Sequence, residues 1–172
     1  METDALAMRD LLFGLLDWQE INAVLDAGCG AGGDLRRIAA FASPSLRLVG
    51  VDSSAKAIEA ARTATLADTR FAWYRADVSQ GLPFVDGEFD ALLTLNLLEC
   101  VSDRAALARE MGRILRPGGR VVCAHWDWNT QTLDGTDKYR VRARLVRLRT
   151  GPILRRFGPA RPDLSGRLRA VC

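Results

Sequence analysis

The sequence lacks the features that mark membrane, disulfide-bonded and zinc proteins. No apolar run approaches the eighteen or more residues of a transmembrane helix, and no basic stretch followed by an apolar one stands at the N-terminus. The four cysteines are scattered without a CxxC pair, and the single histidine has no metal-ligand spacing to them. These absences predict a cytoplasmic chain with reduced, buried thiols, no metal site and no membrane partner.

What the chain does contain is the composition of one soluble domain with a basic end. Residues 1–138 hold fourteen basic and twenty acidic residues, whereas residues 139–172 hold ten arginines and one acid. We therefore expect a folded domain over 1–138 and an arginine-rich C-terminal tail over 139–172. A basic tail can suit nucleic acid, but we favour a solvated terminus and expect no nucleic-acid partner. The sequence indicates no oligomeric state.

Short apolar segments alternate with amphipathic ones through most of the chain. Strands that are apolar on both faces and alternate with helices are typical of a parallel sheet covered on both sides. We therefore expect an α/β fold, Rossmann-like and doubly wound, with a mostly parallel sheet and helices on both faces. The spacing predicts helices over 5–18, 34–42, 53–66 and 104–115, and strands over 24–27, 46–51, 71–75, 89–95 and 120–124.

The C-terminal part of the chain gives weaker signals. Residues 117–119 (Pro-Gly-Gly) are expected to break the chain before the fifth strand. Residues 139–149 alternate arginine with apolar residues, but they also fit a helix, and periodicity does not choose between the two. The proline-containing stretch that follows has no convincing element.

The most informative segment is VLDAGCGAGG over residues 24–33, an apolar strand that runs into a glycine-rich turn. Gly28, Gly30 and Gly33 meet the G-x-G-x-x-G pattern, and Asp52 ends the next strand about twenty residues later. Glycines let the backbone approach a ligand, and the helix that follows offers free N–H groups. A carboxylate at the next strand suits a ribose diol. The pattern indicates a nucleotide-type pocket, and a tight turn without a ligand is the plain alternative.

Asp26 distinguishes between the ligands that such a turn could bind. It lies two positions before Gly28, where a dinucleotide site that faces pyrophosphate would avoid negative charge. A cationic ligand would tolerate the carboxylate. Asp26 therefore disfavours an NAD-dependent oxidoreductase, which we keep as the less favoured alternative.

Four ordered segments carry a family resemblance: VLDAGCGAGG, GVDSS, RADVSQGLPFVDGEFDALLTLNLLECV and LRPGGRVV. Together they resemble the class I S-adenosylmethionine-dependent methyltransferases. Within these, the chain is most similar to the small-molecule branch related to ubiquinone-biosynthesis and arsenite methyltransferases. The resemblance spans about residues 20 to 130. It implies S-adenosyl-L-methionine as cofactor and methyl transfer to a small-molecule acceptor by in-line displacement.

The resemblance also implies which residues hold the methionine end of the cofactor. Asp26 and the backbone of Gly28 and Gly30 would hold its ammonium and carboxylate groups, with Ala27 and Cys29 alongside. From the neighbouring strand, Asn96 would line the methionine side through its backbone carbonyl.

The adenosine end is assigned in the same way. Asp52 would accept both ribose hydroxyls, a geometry that one carboxylate can satisfy with two charge-assisted hydrogen bonds. Ser53 would border the adenosine. Asp77 would accept from the adenine amine, and Val78 would supply a backbone N–H to the ring.

Several residues have plain structural alternatives. Asp77 could cap a turn, and Cys29 is better explained as a small buried side chain than as a nucleophile, since no base neighbours it in sequence. Asp86 and Asp90 are expected to be solvating groups in a loop and at a strand edge. Cys100 stands where the resemblance implies a histidine. If that histidine assists proton removal in relatives, this chain lacks the group that does so.

Candidate catalytic residues follow the fifth strand, in AHWDWNTQ. The ends of parallel strands point into the ligand crevice, which places His125 and Asp127 near the acceptor. Histidine is a common general base in enzymes, although a lone histidine is more often structural. Trp126 and Trp128 could form an apolar wall for the acceptor or pack in the core.

The tail predicts a departure from the family. Relatives follow the fifth strand with a further helix and an antiparallel two-strand extension, and neither is recognisable in residues 139–172. We therefore expect a truncated or divergent C-terminus. The alternative function that follows is a cofactor-binding domain with impaired catalysis.

Overall fold

The computed structural model describes the backbone of residues 2–126 and 141–147 and the side chains of residues 7–125. Within these residues the helices are α1 (Glu2–Phe13), α2 (Gly33–Ala39), α3 (Ala55–Ala64) and α4 (Arg104–Ile114). The strands are β1 (Ala23–Ala27), β2 (Arg47–Asp52), β3 (Phe71–Arg75), β4 (Phe89–Leu95), β5 (Leu115–Trp126) and β6 (Val141–Arg147). Short 3-10 turns cover Val78–Gln80 and Leu98–Cys100.

The strands form one six-stranded sheet in the order β3-β2-β1-β4-β5-β6. The first five strands are parallel, and β6 runs antiparallel to β5. Two core layers cover the sheet: α1, α2 and α3 pack on one face and α4 on the other. The predicted α/β fold, Rossmann-like with a mostly parallel sheet and helices on both faces, is confirmed.

Alternation along β1 decides which residues face which layer. Val24 packs in the layer of α1, α2 and α3, whereas Leu25 and Ala27 pack in the layer of α4. Because successive side chains point to opposite faces, Asp26 shares the face of Val24. The side chain of Asp26 therefore points to the side of the sheet that α1, α2 and α3 cover.

Most predicted elements are found with small changes at their ends. The strands over 71–75 and 89–95 have the predicted bounds. Ser54 caps α3 and Asp103 caps α4, because the side chain of each accepts a hydrogen bond from a backbone N–H in the first turn. The first helix ends at Phe13 rather than at residue 18, because Gly14 ends it with an N–H bond back to Asp10.

The expected break before the fifth strand is wrong. Strand β5 begins at Leu115, directly after α4, and Phe89 pairs with Leu115 while Ala91 pairs with Arg120. The residues between Leu115 and Arg120 form an irregularity in the pairing of β5 with β4, and Gly118 there has a φ of 83°. Glycine and proline therefore mark a bulge here rather than a loop.

The structure decides between the two alternatives left open for residues 139–149. Residues 141–147 form β6, whose register against β5 runs from Trp126↔Val141 to Arg120↔Arg147. The alternating pattern of residues 139–149 thus marks a strand that extends the sheet, not a helix. The ranges 127–140 and 148–172 lie outside the described residues, and the division of the chain at residue 138 stays a prediction. No helix in the part of the chain that the structure describes is long and apolar enough to cross a membrane.

Asp90 corrects another expectation. Rather than solvating a strand edge, it is 9% exposed and its Oδ2 accepts from the N–H groups of Asn22 (2.6 Å) and Ala23 (2.9 Å). Its Oδ1 pairs with Nε of Arg116 at 2.7 Å. Asp90 therefore fixes the N-terminal edge of the sheet, where β1 and β4 begin. Asp86 does behave as expected of a loop group: its side chain is 81% exposed and pairs with Arg113.

Candidate functional site

The candidate site lies at the carboxyl ends of β1 to β4. In the register of β1 and β2, Asp26 is opposite Gly50, and Asp52 follows two residues later on the same strand. Residues two apart on a strand share a face, so Asp26 and Asp52 lie on the same face of adjacent strands. The two predicted carboxylates are therefore brought together at one edge of the sheet.

Hydrogen bonds to β2 fix the glycine turn that follows β1. The N–H groups of Gly28 and Cys29 both donate to the carbonyl of Val51, at 2.8 and 3.0 Å. The next N–H, of Gly30, donates to Oδ2 of Asp52 at 2.8 Å. Three successive donors of the turn are thus used within the protein. They are not free for a pyrophosphate, which argues against a dinucleotide at this turn.

Asp52 holds both the turn and the start of α3. Its Oδ2 accepts from Gly30, and its Oδ1 accepts from the N–H of Ser54 at 2.9 Å. Each carboxylate oxygen has two acceptor sites, so one remains on each after these bonds. The carboxylate is therefore held in place by the backbone and can still accept from two hydroxyl groups.

The turn needs a different third glycine from the one in the predicted pattern. Gly28, Gly30 and Gly32 have positive φ angles of 78°, 52° and 74°, whereas Gly33 simply begins α2. A side chain at Gly32 would overlap the ring of Trp73, but a Cβ at Gly30 would meet nothing within 4 Å. The turn is therefore crowded at Gly32 and open at Gly30, which leaves a cradle beside the backbone.

Asp26 is surrounded by negative charge. It is 2% exposed, and burial raises its pKa well above the ordinary value, with Asp34 and Asp52 acting in the same direction. Arg9 opposes the shift, but its guanidinium is already paired with Asp34. A cationic group beside Asp26 would stabilise the ionised form. This environment fits an ammonium group and disfavours an anion.

Cys29 and Ala27 contribute little chemistry of their own. The Cys29 thiol donates weakly to the Gly30 carbonyl at 3.5 Å, and burial, together with Asp26 and Asp52, raises its pKa. A thiol held protonated is a poor nucleophile. The Ala27 side chain packs in the α4 layer, so it can border the turn only through its backbone.

Beyond Asp52, the predicted adenosine end is formed by the exit of β3. Oδ1 of Asp77 accepts from the N–H and the hydroxyl of Ser79, at 2.9 and 2.7 Å, and so begins the 3-10 turn. These bonds hold the Asp77 pKa below its ordinary value. Asp77 therefore caps the turn, which is the structural alternative given above. Both of these bonds are made to Oδ1, and Oδ2 accepts neither of them. Val78 is buried in the α4 layer and Ser53 is exposed.

The exit of β4 closes the site on the other side. Asn96 has a φ of 60°, uncommon for a residue with a side chain, and its N–H donates to the carbonyl of Ala124 at 2.8 Å. A Cβ at Gly28 would lie 3.1 Å from Leu97. The chain after β4 therefore packs on the glycine turn. Cys100 is exposed at the end of the 3-10 turn that follows.

The predicted catalytic pair is only partly described. His125 lies half-buried on β5, on the α4 face, in register with Arg142 of β6. Trp126 ends β5 and is described only through its backbone, whereas Asp127 and Trp128 lie outside the described residues. The catalytic roles of His125 and Asp127 stay predictions. Among the described residues, no group of three or more His, Cys, Asp or Glu could hold a metal ion.

Sequence reasoning missed Gly32, Gly50, Trp73 and the Arg9–Asp34 pair. A glycine within a strand often marks close approach of another group, and Gly50 in LVGVD carried that signal. Trp73 counted only as an aromatic strand residue. No sequence signal joins Arg9 to Asp34, because the pairing depends on how α1 packs against α2.

The residues present fit the cofactor that the resemblance implies. The buried carboxylate of Asp26 suits an ammonium group, and Asp52 suits a diol. The turn at Gly30 has open space beside it. These features are independent of one another, and all lie at one edge of the sheet.

Comparisons with known proteins agree with this geometry. Residues 24–119 match the family described as a methyltransferase domain. Over 136 residues, the chain is 38% identical to an uncharacterized 37.1 kDa protein in transposon TN4556 of Streptomyces fradiae, covering 78% of this chain and 39% of that protein. Over 125 residues, it is 32% identical to 27-O-demethylrifamycin SV methyltransferase of Amycolatopsis mediterranei, covering 71% and 45%.

A solved structure gives the same picture. The chain is similar to Haemonchus contortus phosphoethanolamine N-methyltransferase 2 in complex with S-adenosyl-L-methionine, with a TM-score of 0.57 and 26% identity. That match covers 61% of this chain and 24% of the other. The chain thus spans less than half the length of each of these three proteins.

Proposed function

Because the chain belongs to the family of methyltransferase domains, we propose that it binds S-adenosyl-L-methionine and directs its methyl group to a small-molecule acceptor. The observation that carries the proposal is the pair of carboxylates at one edge of the sheet. Asp26 is buried among negative groups and favours a cation, while Asp52 is held with one acceptor site left on each oxygen. The similarity to small-molecule methyltransferases supports the class of acceptor.

The cofactor's methionine end would be held by Asp26 and by the backbone at Gly28 and Gly30, with Ala27 and Cys29 beside them. Because the N–H groups of Gly28, Cys29 and Gly30 already bond to β2, the turn would use its carbonyl oxygens and Asp26 for the ammonium. The carbonyl of Asn96 would line the same end.

The adenosine end would be held by residues from β2 and β3. Asp52 would accept the ribose hydroxyls, Asp77 would accept from the adenine amine through Oδ2, and the N–H of Val78 would meet the ring. Ser53 would border the nucleoside.

The chain's contribution to catalysis would be mainly orientation. When bound, S-adenosyl-L-methionine supplies an electrophilic methyl group on a sulfonium, and charge is lost rather than created in the displacement. A pocket that aligns the acceptor with that methyl group can therefore supply most of the acceleration. His125 and Asp127 would be needed as general bases only for acceptors whose nucleophile carries a proton at a high pKa.

Two alternatives remain to be separated by experiment. A cofactor-binding domain with impaired catalysis is the first alternative: Cys100 is exposed at a position where the family resemblance implies a histidine. An NAD-dependent oxidoreductase is disfavoured because Asp26 is buried and the turn donors are engaged. We place the protein in the cytoplasm as part of the proposal, and we propose neither a nucleic-acid nor a membrane partner.

Titration calorimetry of the full chain with S-adenosylhomocysteine and, separately, with NADH tests the cofactor. We expect binding of the first and none of the second, and the reverse result would overturn the proposal. A panel of amine, hydroxyl and carboxylate acceptors with S-adenosyl-L-methionine tests turnover. Binding without methylation of any acceptor favours the impaired domain.

A further inference from the structure

Trp73 of β3 packs against the glycine turn, although it offers no polar group to a ligand there. A Cβ built on Gly32 or on Gly50 would overlap the six-membered part of the Trp73 ring. The same Cβ on Gly50 would lie 2.8 Å from Sγ of Cys29. The indole therefore packs closely against both glycines, and the Cys29 thiol packs against Gly50 beside it.

The indole is fixed by groups that have no part in the proposed binding site. Its Nε1 donates to Oγ1 of Thr65 at 2.9 Å, at the end of α3. Its ring is stacked on Phe71, with centroids 5.5 Å apart and an interplanar angle of 12°. Trp73 is 7% exposed, so these contacts hold the ring in one orientation inside the core.

A turn with three positive-φ glycines needs such a wall. Glycine has more accessible backbone conformations than any other residue, so the turn does not choose one conformation by its own sterics. The N–H groups of Gly28, Cys29 and Gly30 are fixed by the bonds that they donate to β2, and the indole occupies the space into which Gly32 could otherwise move.

We infer that Trp73 is a positioning residue for the cofactor turn: the indole, anchored by Thr65 and Phe71, sets the conformation of residues 29–32 against Gly50. The inference rests on the proposed function, because the affected property is affinity for the cofactor. Trp73 itself touches neither cofactor nor acceptor in this assignment.

A double-mutant cycle between Trp73 and Gly50 tests the inference, with S-adenosylhomocysteine affinity measured by calorimetry on folded protein at 15 °C. Trp73→Phe shortens the ring, and we expect affinity to fall about tenfold. Gly50→Ala adds the overlapping methyl group, and we expect a loss of about tenfold or more. Because the shorter ring removes the larger of the two overlaps at Gly50 and leaves the one with Cys29, the added loss from Gly50→Ala should be clearly smaller in the Trp73→Phe background than in the parent.

Trp18→Phe is the matched control. It makes the same chemical change in the same core layer and also loses an indole hydrogen bond, from Nε1 to the Phe13 carbonyl at 2.8 Å. We expect its Tm to fall while its affinity stays within about twofold of the parent. A substitution away from the turn should leave the site of the folded molecules unchanged. An affinity of Trp73→Phe within about twofold of the parent, or fully multiplicative losses in the cycle, overturns the inference.

A second measurement needs no folded Trp73 variant. The parent chain labelled with 5-fluorotryptophan gives one fluorine resonance per indole, and Phe variants of the other three tryptophans assign Trp73 by elimination. We expect saturating S-adenosylhomocysteine to shift or sharpen the Trp73 resonance and to leave Trp18 unmoved. An unmoved Trp73 resonance on a saturated protein contradicts the inference alone. Absence of binding to the parent chain removes the proposed function and the inference with it.

Discussion

The two edges of the sheet each bury an aspartate, and the two residues have opposite surroundings. At the N-terminal edge, Asp90 accepts two backbone N–H groups and pairs with Arg116. At the C-terminal edge, Asp26 has Asp34 and Asp52 near it, and burial raises its pKa. Burial is similar, at 9% and 2% exposure. What differs is the pairing: Arg116 pairs with Asp90, whereas Arg9, which acts on Asp26, is already paired with Asp34.

That difference separates a structural carboxylate from a binding one. A buried charge is costly unless it is paired, so a fold normally provides donors for it, as it does for Asp90. A carboxylate that the fold leaves among other acids is destabilising by itself and becomes favourable only beside a cation from outside. The comparison therefore predicts that stability depends on Asp90 and ligand affinity on Asp26.

The largest effect should come from Asp90→Ala. It leaves two buried N–H groups without an acceptor, and we expect the free energy of unfolding to fall by about 3 kcal/mol. Urea denaturation measures the change, with the exposed Asp86→Ala as control, expected within about 0.5 kcal/mol of the parent. Where Asp90→Ala is still folded, its S-adenosylhomocysteine affinity should match the parent. A parallel loss of affinity would break the comparison.

Asp26→Asn should have the reverse pattern. Removal of the carboxylate should weaken S-adenosylhomocysteine binding by about 2–3 kcal/mol, the scale for a hydrogen bond to a charged group. The same change removes a carboxyl group whose ionised form burial disfavours, so thermal unfolding should occur at a temperature no lower than in the parent. Lower stability together with unchanged affinity would show that Asp26 is a structural residue like Asp90.

Asp52→Ala should lie between these extremes. Affinity for S-adenosylhomocysteine should fall by roughly 1.5–3 kcal/mol, and we place it near the lower end, about 2 kcal/mol. Because Asp52 also accepts from Gly30 and Ser54, a moderate loss of stability should accompany it. Asp52→Asn, which keeps one acceptor oxygen, is the matched control and should retain more of both. An unchanged dissociation constant for Asp52→Ala would remove Asp52 from the site.

The smallest effect concerns pH. The folded pKa of Asp26 is raised, so between the ordinary carboxyl pKa and the raised value the folded protein binds more protons than the unfolded chain. Stability from this group therefore increases as pH falls through the raised pKa. Affinity for the cationic ligand should decrease over the same range, by at most about tenfold per pH unit. Calorimetry across pH checks this, and Asp26→Asn should have a flatter profile.

The arrangement of strands and helices could be predicted because local patterns determine it. Strands β3 and β4 were found at their predicted bounds, since runs such as FDALLTL are apolar on both faces. The start of β5, directly after α4, was not predicted correctly, because glycine and proline are typical of both a loop and a bulge. Strand β6 was ambiguous because alternating arginine fits either period.

The candidate site was predictable only where a motif marks it. Asp26, Asp52 and the first two glycines carry a recognisable spacing. The third glycine of the turn is Gly32 rather than the predicted Gly33, because Gly32 has the positive φ. The sequence of two adjacent glycines does not indicate which of them adopts it. The contact of Trp73 with Gly50 joins two strands through side-chain packing, which no single sequence reports.

The carbonyl of Val51 accepts hydrogen bonds from both Gly28 and Cys29, and this affects how fast a ligand can bind. Since bonds within the protein already order the turn after β1, a ligand that arrives there need not spend its interaction energy on arranging a loop. Rearrangement of the turn should then not limit association, and the on-rate should be set by diffusional encounter. Backbone amides of that turn should exchange with deuterated solvent slowly before any ligand is added.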